Sequence, residues 1–152
     1  MIVRVAPREH LGWLAERAKV NVTPDLHAVE AIDDQGKIHG MLATDGWTPN
    51  SCCMHVALDN PVVLRRLLPM VFGIIFNQLG KNVALVTVLG NNTRSLRLVH
   101  HVGFREIARI RDGWARGVDL TIHELRKKDC RFIDHGRRNS PVAAGQNTRE
   151  AS

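Results

Sequence analysis

The chain has 152 residues, room for one compact domain and too few for two. Its 44% apolar and 24% charged residues exclude wholesale disorder and a low-complexity or collagen-like chain. The net charge of +6 is unevenly placed: residues 1–125 carry fourteen basic and twelve acidic side chains, so most of the excess falls after Leu125.

The N-terminus lacks the long apolar block and small-residue cleavage site of a secretory signal, which points to the cytoplasm. Met1 to Val5 reads as a strand. Pro7 suits a helix N1 position, and Leu11, Leu14, Ala15 and Ala18 then share one helical face. Leu26 to Ile32 and Ile38 to Ala43 are the arms of a hairpin turned by Asp33-Asp34-Gln35-Gly36. Cys52 to Leu58 is a further strand that stops at Asp59-Asn60-Pro61. Its adjacent cysteines, with only one more in the chain, give no disulfide framework and no zinc spacing, so reduced thiols are expected.

Asp59 or Asn60 caps a helix starting at Pro61. Pro69 predicts a kink or a fresh start, with Phe72, Ile75, Phe76 and Leu79 on the core face and Gly80 as the stop. The longest apolar stretch, Leu67 to Phe76, is about half the ~20 residues a membrane span needs. Val83 to Leu89 is almost continuously aliphatic, as expected of a central strand covered on both faces. A helix from Thr93 to Val102 follows, capped by Asn91-Asn92 and ended by Gly103. Neighbouring His100 and His101 diverge by about 100° on such a helix, so no metal site is expected. Phe104 to Arg111 and Val118 to Leu125 form a second hairpin through Asp112-Gly113 and Arg116-Gly117. The domain is placed at residues 1–132, and 133–152 read as a basic, disordered tail. Its charges are not interleaved with stacking aromatics, which disfavours a nucleic-acid partner.

The resulting order β-α-β-β-β-α-β-α-β-β is an α/β fold with a mixed, mainly antiparallel sheet flanked by helices. Within it, Asn92, Ser95 three residues later, and Gly103-Phe104 eight and nine after that follow the aliphatic strand. The segment resembles the N-x-x-[AS]-x7-G-F motif of GNAT-superfamily N-acetyltransferases, especially the branch acting on protein N-termini. The residues from Arg111 to Leu120 and from Arg126 to Phe132 look like the close of phage-encoded members. The motif match covers about residues 89–132, and the element order about 1–132. The resemblance implies acetyl-coenzyme A wedged between the strands 52–58 and 83–89, with Val56 and Leu58 offering backbone groups to the pantetheine arm and Asn92 its side-chain amide. As plain residues, Asn92 and Gly103 equally serve as an ordinary helix cap and stop.

Two departures from the family pattern stand out. The glycine loop that brings backbone amides to the cofactor phosphates is missing, and Pro61 removes one more donor. Arg65 and Arg66 then have to supply side-chain charge, unless they are simply a solvated helix face. The tyrosine that usually protonates the leaving thiolate is replaced by Val99, leaving Ser95, one turn earlier, as a relay through water or as a plain surface hydroxyl. For the base that takes the amine proton, His55 is the first candidate and Glu30 its competitor. Cys53 shares the face of His55. Two activities are compatible with these residues: acetyl transfer to an amine of a protein or small molecule, or a phage-encoded GNAT-like protein with a degenerate site that docks to a host protein.

Overall fold

A computed structural model describes residues 1–135. Seven strands form one sheet: β1 (Ile2–Val5), β2 (His27–Ile32), β3 (Ile38–Asp45), β4 (Ser51–Leu58), β5 (Val83–Leu89), β6 (Arg105–Ala115) and β7 (Val118–Arg126). Their spatial order is β1-β2-β3-β4-β5-β7-β6. Only β4 and β5 pair in parallel, and all other neighbours are antiparallel. The helices are α1 (Leu11–Ala18), α2 (Leu64–Phe72) and α3 (Thr93–Val102), so the element order is the one the sequence predicts. Among the described residues no helix is long and apolar enough to cross a membrane.

Strand alternation sends side chains to two faces. On one, Val29, Leu42, Met54 and Val86 pack against Leu67, Val71, Phe72 and Phe76 of the long helical run and Val99 and Val102 of α3. On the other, Ala28, Met41, Ala43 and Ala57 pack against Leu11 and Leu14 of α1. The first cluster extends almost to the last described residue: Phe132 stacks on Phe72 at 5.9 Å, and Ile133 also packs against it. His135 Nε2 donates to the Cys130 carbonyl. The remainder of the expected tail, 136–152, lies outside the described residues.

Four local expectations are corrected. Pro69 sits inside α2 without breaking it, and helix continues from the 3₁₀ turn Pro61–Val63 through α2 into a π-helical segment, Gly73–Gln78. Pro69 is close enough to the helix start that it deletes a single ladder donation, to Arg65. The wider π turn rotates Leu79 off the core face, and it is 51% exposed. β5 is not covered on both faces: Ala84, Val86 and Val88 are buried, whereas Thr87 is exposed and Leu85 and Leu89 half-buried. The α1-side cluster draws on strands β2, β3 and β4, and among the described residues no helix packs on this side of β5, β7 and β6. Finally, Asp112-Gly113 is a bulge within β6, with Asp112 at φ 54°, and the turn is at Arg116-Gly117.

Candidate active site

The site begins where the parallel pairing stops. Ser51, Cys52 and Cys53 face Val83, Ala84 and Leu85, and beyond Cys53–Leu85 the two strands diverge. Both strands stay paired on their outer edges, β4 to β3 as far as Leu58 and β5 to β7 as far as Leu89. The main-chain groups of Met54–Leu58 and Val86–Leu89 that face the gap therefore have no strand partner. They form a V open at the C-terminal ends of both strands, and an amide-bearing ligand can pair with its walls. Val56 and Leu58 lie on the β4 wall.

At the vertex is an apolar cavity of about 40 Å³, lined among others by Met54, His55, Val56, Val86, Leu98 and Val99. That is room for a methyl-sized group and few other atoms. Val99 is buried there, and Ser95 lies one turn earlier, half-buried. Asn92 caps α3 by accepting the Ser95 N–H on its Oδ1 at 3.1 Å, which leaves its amide nitrogen as a donor. A larger groove of about 370 Å³, bordered by Thr44, Trp47, Val71 and Leu79, lies away from the V.

His55 projects from β4 on the α1 side of the sheet, the first residue of that parity after the pairing ends. Its Nε2 is 2.8 Å from Asp45 Oδ1 on β3, a contact the sequence analysis did not anticipate. The signal for it was the hairpin register, which sets Asp45 opposite Cys53 and so diagonal to His55. Glu30 is placed differently. It is fully buried two strands away, with Oε1 held by Arg4 Nε and Oε2 by His10 Nδ1, both at 2.8 Å. No carboxylate oxygen is left to face the V. Nor are the thiols suited to nucleophilic work: burial pushes Cys52 up to about 12, and burial with the nearby Asp45 charge raises Cys53.

The turn between β4 and the helix shows why the glycine loop matters. The Asp59 and Asn60 N–H groups both donate to the His39 carbonyl, and Pro61 has none. Val62 N–H donates to Asn60 Oδ1, Val63 N–H to the Asn60 carbonyl, and Leu64 N–H to the Pro61 carbonyl. Every amide from 59 to 64 is thus occupied, and the Asp59 carboxylate, bound by Arg17, adds negative charge. Arg66 reaches the Met1 carbonyl at 2.9 Å, toward the far edge of the sheet, while Arg65 is exposed. The V and its apolar vertex fit a pantetheine thioester, whereas the turn does not present the amide cradle a diphosphate needs.

No family model matches the sequence, and no curated protein does. Solved structures do match. Mutant forms of the spermidine/spermine N-acetyltransferase SpeG from Vibrio cholerae superpose with TM-score 0.69 at 12% identity, over 84% of this chain and 95% of that one. This is the GNAT fold. The same enzyme in a dodecameric intermediate state gives 0.69 at 12% identity over 84% and 94%. Its complex with CoA and spermine gives 0.68 at 12% over 84% and 96%. The GNAT fold accounts for the single parallel pair and the V between β4 and β5.

Proposed function

We propose that the protein transfers an acetyl group from acetyl-CoA to an amine of a protein or small molecule. The carrying observation is the V between β4 and β5, with free main-chain groups along its walls and an acetyl-sized apolar cavity at its vertex. The pantetheine arm pairs with the walls at Val56 and Leu58, the Asn92 amide supports it, and the thioester lies near Val99. The amine enters from the side that α1 leaves open and presents its proton to His55. Without a tyrosine at position 99 the thiolate leaves unassisted or by a water relay at Ser95. That slows the reaction by up to the roughly 10²- to 10⁴-fold a general acid contributes. The structural neighbours named for spermidine and spermine make a polyamine the first acceptor to try. The cytoplasm, where acetyl-CoA and amines are at hand, is the proposed compartment.

A second reading is favoured by one observation, the fully occupied amides of residues 59–64. In it the chain is a phage-encoded relative of the protein N-terminal acetyltransferase branch that has lost donor binding and docks to a host protein. Calorimetric titration with acetyl-CoA decides between the two, followed by thiol release in the presence of spermidine and of peptides with free N-termini. Binding with release of one thiol per acetylated amine supports the enzyme; no binding at millimolar acetyl-CoA refutes it.

A further inference from the structure

We infer that Asp45 is a positioning residue that fixes His55 in the tautomer able to take the proton of the attacking amine. The inference rests on the acyl-transfer reading above and adds a residue to it. Asp45 Oδ1 and His55 Nε2 are 2.8 Å apart, and both side chains are about three-quarters buried (23% and 24% exposed). An ionised carboxylate can only accept, so the shared proton is on Nε2 and the lone pair on Nδ1. Nδ1 is the ring nitrogen nearer the backbone. The residue that carries it is two past the last β4–β5 pair, beside the point where the strands part.

The other histidine–carboxylate contacts of the sheet have structural duties that this one lacks. Asp33, which binds His39, also accepts the Gln35 and Lys37 N–H groups and so holds the β2–β3 turn. Glu30, which binds His10, is neutralised by Arg4. Among the described residues, the Asp45 carboxylate has His55 as its one hydrogen-bond partner. No turn, cap or arginine needs it there.

The amine nitrogen attacks the thioester carbonyl carbon and forms the C–N bond, and its N–H proton passes to His55 Nδ1. The C–S bond breaks and its electron pair leaves on sulfur as thiolate. The imidazolium that results carries a proton on each nitrogen, and the Asp45 carboxylate is the charge facing it.

The experiment combines nitrogen-15 NMR of the histidine rings with steady-state kinetics on the full chain. Wild type is expected to show the Nε2–H tautomer at His55. Asp45→Asn can turn its amide NH2 toward Nε2 and favour the Nδ1–H tautomer, whereas Asp45→Ala gives a mixture. For Asp45→Ala, kcat falls about 10- to 100-fold, within the range of a general base, while KM for acetyl-CoA stays within about twofold. In the His55→Ala background the Asp45→Ala change costs nothing further, because residues acting as a unit are not additive. Free imidazole restores turnover to His55→Ala. An unchanged ring tautomer in a folded Asp45→Ala protein overturns the inference without reference to activity, as does a full additional loss in the double variant. A wild type that binds acetyl-CoA and acetylates no amine refutes the activity instead.

Discussion

The occupied turn between β4 and the helix predicts an unusual donor preference. In a turn with open amides, two backbone N–H bonds to a diphosphate at about 1.5–3 kcal/mol each give about 3–6 kcal/mol, or roughly 10²- to 10⁴-fold in kcat/KM. Here those amides are used internally, and what remains is the exposed Arg65 against the nearby Asp59. An exposed charge contact contributes about 0–1 kcal/mol. Acetyl-pantetheine, which lacks the nucleotide and diphosphate, is therefore expected to be used within about tenfold of acetyl-CoA, measured as kcat/KM by thiol release at fixed ionic strength. Asn60→Gly should sharpen the contrast. It frees the Val62 N–H, costs only a few tenths of a kcal/mol as a cap change, and should improve acetyl-CoA about tenfold while leaving acetyl-pantetheine unchanged. A wild-type preference for acetyl-CoA above 10³-fold would show that the diphosphate displaces the internal bonds, and the accounting would fail.

Glu30→Gln is expected to lower stability by about 3 kcal/mol in urea unfolding, the low end for breaking a buried pair because Arg4 is half exposed, yet to keep kcat; a selective loss of kcat would make Glu30 the base. Gly40→Ala should cost about 1–3 kcal/mol by overpacking, read as a lower Tm, because a Cβ there would meet Val63 Cγ2 at 2.8 Å and Leu58 Cδ2 at 2.9 Å. Burial lowers the pKa of His123 from 6.5, and its Nε2–H must donate to Thr121 Oγ1, whose own proton goes to the Val88 carbonyl. The unfolded chain then binds the proton more readily than the fold. Stability should fall as pH drops below about 6.5 and down to the lowered folded value, and Tm against pH should be flatter through that window in His123→Gln.

The sequence by itself determined the order of the elements, because each leaves a local record. Alternation of Val118, Leu120 and Ile122 marks β7, Asn92 and Gly103 bound α3, and Asp33 to Gly36 turn the first hairpin. It also showed that the turn at Asp59-Asn60-Pro61 lacks glycine. What occupies the amides there was decided only by folding, since the His39 carbonyl comes from the neighbouring strand. The bare side of β5 was equally invisible, for a run such as Val83 to Leu89 does not record how far a short α1 reaches across the sheet. As residue types on strands, His55 was the first candidate for the base and Glu30 its competitor. Tertiary structure separated them, because a buried carboxylate must find cations, here Arg4 and His10, while His55 lies at the point where two strands part and faces a carboxylate with no other duty.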